Sequence, residues 1–148
     1  MQRIRALCAR SAPVRIAAHG GAGLIIDYGY SERTGFAETL QAVGGHRFVD
    51  VLAEPGEDDL SAHVDFATLA AAGKRGGASV SGPVTQGAFL ANLGIAERAE
   101  QLMKANPVEG QNLLAATERL IGNDTMGRLF KVLALMPPGM TDVAGVPP

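Results

Sequence analysis

The 148-residue sequence is poor in the features that most readily betray a protein's chemistry. Cysteine occurs once, as Cys8, which excludes an internal disulfide and any cysteine-based metal spacing and fits a reducing compartment. The expected role of Cys8 is that of a small buried apolar residue. Neither sign of charge dominates: 13 basic against 15 acidic residues give a net charge of -2, which argues against a nucleic-acid surface. No apolar run approaches the roughly 20 residues of a membrane helix, so no membrane segment is expected. Catalytic signatures are missing too. Gly20, Gly21 and Gly23 precede an apolar run rather than follow one, and Gly73, Gly76 and Gly77 end a helical pattern, so no glycine-rich turn leads from a strand into a helix to hold a nucleotide. No serine sits in a GxSxG elbow and Cys8 has no base in pattern with it, which disfavours a nucleophilic hydrolase.

What is present suits one folded domain. Aromatics are only 5 % of the chain but hydrophobic residues make up 47 %, enough to bury a core and to exclude disorder. Residues 1–26 carry Arg3, Arg5, Arg10 and Arg15 and no acid, a pattern shared by organelle transit peptides. Ile4, Leu7, Cys8 and Ser11 equally suit a helix leading into a first strand. AGLIIDYG then reads as a buried strand of a parallel sheet, ending on a polar residue. From Tyr28 to Val64 no periodicity is sustained, and Pro55-Gly56 marks a turn; so long an irregular connection is expected to be functional or disordered.

The second half is more regular. Asp65 stands at a helix N-cap, Phe66, Leu69 and Ala70 share a face, and Gly76-Gly77 is the stop. ASVSGPV reads as a strand, Thr85 caps a short helix ended by Gly94, and IAERAEQLMKA forms the next helix up to Asn106-Pro107. A further helix places Leu113, Leu114, Thr117, Leu120 and Ile121 on one side, and LFKVLAL is a strand interrupted only by Lys131. The alternation predicts an α/β fold with a mostly parallel, doubly wound sheet over residues 1–136 and a loose tail at 137–148.

Three groups of side chains stand out. Asp59, His63 and Asp65, with His46 and Asp50, would suit a nitrogen and oxygen metal site, but their spacing matches no metal motif, and Asp65 is also simply a cap. Between Asp50 and Asp65 the acids Asp50, Glu54, Glu57, Asp58, Asp59 and Asp65 face no lysine or arginine in sequence, which reads either as a solvated face or as a cation-binding lip. Asp27-Tyr28-Gly29 ends the first strand, where α/β proteins hold ligands, although Asp27 also suits an Asx-turn; Gly29 would allow a sharp turn or a close ligand approach.

Taken in order, LIIDYGY, TLQAVGGHRFVDVL, PGEDDLSAHVDF, GPVTQGAFLANLGI and MGRLFKVLAL resemble the carboxyl-terminal half of the MidA-like family of class I S-adenosylmethionine-dependent methyltransferases, over about residues 17–136. The resemblance implies a Rossmann-like sheet in which LIIDYG is the fifth strand, ASVSGPV the sixth and LFKVLAL an antiparallel seventh. It also implies S-adenosylmethionine as the cofactor of the complete family member, a protein arginine as substrate, and, for mitochondrial members, a part in assembly of respiratory complex I. The setting would be the bacterial cytoplasm or the mitochondrial matrix. The family's cofactor site belongs to an amino-terminal half that these motifs do not include, so no cofactor-binding residue is expected here and the chain alone is expected to be inactive. A non-catalytic interaction module is the alternative. Carboxylates would match a guanidinium bidentately and a histidine would accept its proton. On that basis Asp27, Tyr28, Asp59 and His63 are the expected catalytic residues, and Gln41, His46 and Asp65 the substrate-binding ones. A first strand with no lysine, proline or charge before Asp27 is also expected to pair with a second copy if its edge is open.

Overall fold

The computed structural model describes residues 2–32, 39–54 and 56–147, with the backbone alone for residues 2–10. The expected burial of Cys8 and the turn residue Pro55 lie outside what is described.

The chain opens with α1 (Gln2–His19), which Gly20 and Gly21 end in left-handed geometry at φ 78° and 92°. β1 (Gly23–Tyr30) follows directly. The expected irregular stretch instead contains short strands: β2 (Gln41–Gly44), β3 (Arg47–Val49) and β4 (Asp59–Ser61) form a separate three-stranded antiparallel sheet in the order β3-β2-β4. Gly45 and His46, both at positive φ (53° and 63°), make the two-residue turn between β2 and β3, the backbone geometry that tight hairpins need. This sheet leaves Phe48 and Leu60 exposed.

β5 (Val64–Asp65) runs into α2 (Phe66–Arg75), then come β6 (Ser79–Thr85), α3 (Gln86–Asn92), α4 (Ile95–Ala105), α5 (Gly110–Ile121), the single turn α6 (Met126–Leu129) and β7 (Phe130–Met136). The helix signals read from the sequence are met: the Asp65 carboxylate accepts the Thr68 N–H at 2.9 Å, the Thr85 hydroxyl accepts the Ala88 N–H at 3.2 Å, and Gly76 and Gly94 stand at helix ends.

The main sheet has four strands in the order β5-β1-β7-β6. β7 lies between β1 and β6, antiparallel to both, while β5 adds to β1 in parallel through Gly29 and Tyr30 alone. β1, β5 and β6 therefore point the same way. An antiparallel last strand inserted beside the first is the Rossmann-like methyltransferase arrangement that the sequence motifs imply.

Opposed residues of an antiparallel pair share a face, so register sorts the core. Ile25 lies opposite Leu133 and Gly23 opposite Leu135, and on that face Phe66, Leu69 and Ala70 of α2 and Ile16 of α1 complete the packing. On the other face Val132 and Ala134 pack with Phe89 of α3 and with Val146. The tail thus departs from its expected looseness: Val146 is fully buried and pairs with Val143. Leu24 and Ile26, opposite Ala134 and Val132, belong to this second face but are 49 % and 48 % exposed.

Candidate functional site

A cleft of about 970 Å³ opens at the carboxyl ends of β1 and β6, where open α/β sheets hold ligands. Gly29, Tyr30, Ser31 and Glu32 form the wall that continues β1, His63 contributes from the loop before β5, and Thr85 closes β6. The opposite wall is the turn Asn123 to Thr125, with Arg128 and Leu129 of α6 and Lys131 of β7.

Both walls are fixed by local packing. The Thr125 hydroxyl lies 2.8 to 3.2 Å from the carbonyl oxygens of Glu118, Arg119 and Gly122, and so closes the end of α5. At Gly127 an added Cβ would stand 2.1 Å from the Ile121 carbonyl oxygen, so only glycine lets α6 fold back this closely on α5. On the first wall, a Cβ at Gly29 would stand 2.2 Å from the Val64 carbonyl oxygen. The close approach that Gly29 serves is therefore that of β5, not of a ligand.

The residues singled out in the sequence separate into three groups. His63 lines the cleft, and its ring meets that of Tyr28 edge to face at 5.5 Å, with Phe130 against the same tyrosine at 5.8 Å. Asp27 is adjacent in β1, and its carboxylate accepts the N–H of the next residue, Tyr28, at 2.9 Å; both lie within the strand, so this is not the bond two residues on that an Asx-turn makes. Asp65 is spent as the cap of α2, binding both the N–H and the hydroxyl of Thr68, at 2.9 and 2.7 Å. Gln41, His46 and Asp59 lie in the three-stranded sheet, with His46 at an exposed hairpin tip and Asp59 exposed at the start of β4, and none of the three lines the cleft.

The acidic stretch is likewise divided. Asp50 accepts the Leu52 N–H at 2.8 Å, and the carboxylate of Asp58 occupies the space above Gly44. No group of three or more His, Cys, Asp or Glu side chains among the described residues is placed to hold a metal ion.

Sequence reasoning missed the polar residues that do line the cleft: Glu32, Thr85, Asp124, Arg128 and Lys131. Lys131 registers in the sequence only as an interruption of an apolar strand, yet it is half-buried between the ends of β1 and β6, opposite Asp27 and Thr85. Burial, and then the neighbouring Arg128 guanidinium, hold its ammonium pKa below the ordinary lysine value.

Against known proteins, a family described as "Putative S-adenosyl-L-methionine-dependent methyltransferase" matches residues 1–84. The mouse protein named protein arginine methyltransferase NDUFAF7, mitochondrial, is 41 % identical over 125 residues, covering 83 % of this chain and 28 % of its own length. The fruit-fly homologue of that name is 40 % identical over 126 residues, again 83 % of this chain and 28 % of the relative. The chain thus spans under a third of the curated relatives it matches. A Burkholderia thailandensis crystal structure with bound S-adenosyl-homocysteine superposes with a TM-score of 0.77 at 29 % identity, over 91 % of this chain and 37 % of that one. Sheet order, motif order and these matches agree: the chain belongs to the MidA-like family of S-adenosylmethionine-dependent methyltransferases.

Proposed function

We propose that this chain supplies the substrate-side wall of a methyltransferase that acts on a protein arginine, in the setting of respiratory complex I assembly. The observation that carries the reading is the cleft at the strand ends, with one histidine braced by Tyr28 and the carboxylates Glu32 and Asp124 along the same lining. The arginine methyltransferase name of the animal relatives supports the substrate class, and their mitochondrial names favour a mitochondrial setting over the bacterial cytoplasm. No helix among the described residues is long and apolar enough to cross a membrane.

On this reading the cofactor is not held by this chain alone. Among the described residues β5 enters α2 through Asp65-Phe66 and β6 enters α3 through Thr85-Gln86, neither through a glycine-rich turn. S-adenosylmethionine would supply the methyl group from outside this chain. What these residues contribute is orientation and proton removal. Glu32 and Asp124 attract the guanidinium, and His63, its ring fixed against Tyr28, accepts the proton that the methylated nitrogen gives up.

The test is methyl transfer with the chain produced together with the amino-terminal part of the Burkholderia thailandensis relative, using radiolabelled S-adenosylmethionine and mitochondrial extract. Label is expected on arginine. His63→Gln should lower the rate by about 100-fold, the lower end for loss of a general base, with the melting temperature unchanged. Label on another residue type, or a fully active His63→Gln, would overturn the reading.

A further inference from the structure

Two cations line the cleft, the exposed Arg128 and the partly buried Lys131, which stands opposite Asp27 in the register of β1 and β7. Arg128 and Lys131 both line it, and among the described residues no ion pair joins either one to a carboxylate. The Lys131 ammonium donates to the backbone carbonyl of Arg128. Burial of the Lys131 ammonium, and after it the repulsion of the exposed Arg128 guanidinium, hold the lysine pKa below its ordinary value. Elsewhere the chain solves the same problem by pairing: Lys104 meets Glu100 at 2.6 Å on an open helix face.

Carboxylates are not lacking nearby. Glu32 and Asp124 line the same cleft, and neither pairs with the cations. The cleft therefore presents both signs of charge with their partners unassigned, which complements a ligand that itself carries both. A peptide with a guanidinium and a neighbouring carboxylate is such a ligand, and an arginine side chain alone is not.

We propose that Arg128 and Lys131 form a carboxylate-binding subsite of the cleft, which takes an acidic group of the protein substrate next to the arginine held by Glu32 and Asp124. The inference rests on the proposed function for the identity of the guanidinium partner. The carboxylate is either an acidic side chain or the substrate's own chain terminus, and guanidinium geometry suits both.

The sequence contains three lysines, Lys74, Lys104 and Lys131, so carbon-13 labelling of the lysine side chains gives a short spectrum in which Lys131→Gln identifies the signal of interest. The full chain is titrated with three short peptides: Arg-Asp with an amidated end, Arg-Asn with an amidated end, and Arg-Asn with a free terminal carboxylate. The Lys131 signal is expected to move saturably with Arg-Asp amide, at least 10-fold more tightly than with Arg-Asn amide, while Lys74 and Lys104 stay still. Arg128→Gln should remove that preference. A response to the free-ended Arg-Asn peptide alone upholds the subsite and assigns it to a chain terminus. Saturable binding of both amides with equal affinity, equal movement of all three lysines, or no movement with any of the three peptides overturns the proposal. Because binding is read without methyl transfer, a chain that binds Arg-Asp but supports no methylation refutes the proposed function and leaves the subsite standing.

Discussion

The two faces of β1 are built from the same kinds of residue and have opposite fates. Ile25 is packed under α1 and α2 with Phe66, Leu133 and Leu135, whereas Leu24 and Ile26, one position away on either side, are about half exposed. The difference does not lie in the strand. β7 and β6 have both faces covered, one by α2 and the other by α3 and Val146, and the cover on the second face stops before it reaches β1. Hydrophobicity at a position thus reports that a face is meant to be covered, and only the arrangement of other elements says by what.

The largest expected effect tests the covered face. Phe66 is completely buried at the start of α2, in contact with Leu133 and Leu135. Phe66→Ala should cost about 3 to 5 kcal/mol in denaturant unfolding, the range for a buried aromatic truncated to alanine. Ile26→Ala on the open face should cost under about 0.5 kcal/mol, as for surface positions. Comparable losses at the two sites would mean that Ile26 is covered and that the two faces do not differ.

Local signals account for what was legible from the sequence. The caps at Asp65 and Thr85, the glycine stops and the apolar faces of α2 and α5 depend on residues within one or two helical turns, so they can be read without knowing the fold. Signals that arise only when distant segments meet were not legible. β3 and β4 have three residues each, too short to show alternation, and β5 has two. The tail lacks a pattern because it docks through two isolated valines, Val143 and Val146, and not through a helix or a strand. The cleft was half legible. The end of β1 and His63 were anticipated, but Arg128 and Lys131 reach the site from the far end of the chain, and their spacing in sequence carries no motif.

A middle-sized effect separates capping from ligand binding within the acidic segment. Asp65 satisfies two donors of Thr68 at the start of the helix that covers the packed face, so Asp65→Ala should cost about 1 kcal/mol, the usual loss for an N-cap. Asp59, exposed at the start of β4, has no such duty, and Asp59→Asn should leave the unfolding midpoint where it was. Should Asp59→Asn destabilise as much as Asp65→Ala, the three-stranded sheet supports the main fold more than its contacts indicate.

The smallest change in stability should accompany a change in association. β5 pairs only with Gly29 and Tyr30, and among the described residues no further strand bonds to that side of Gly23 to Tyr28. An edge without lysine, proline or charge before Asp27 is a template for another strand. A second copy aligned antiparallel, with Ile25 opposite Ile25, would set Leu24 of one chain across from Ile26 of the other, twice, on the bare face. We expect the sedimentation coefficient of the wild-type chain to rise with concentration over the micromolar range. Leu24→Lys with Ile26→Lys should abolish that rise, because like charges would face each other across the seam, while unfolding stability shifts by under about 0.5 kcal/mol per site. A wild-type chain that stays monomeric at every concentration and melts cooperatively above about 60 °C, beyond the middle of the mesophile range, would show that this edge is already protected, and the contrast between the two faces of β1 would then have no consequence in solution.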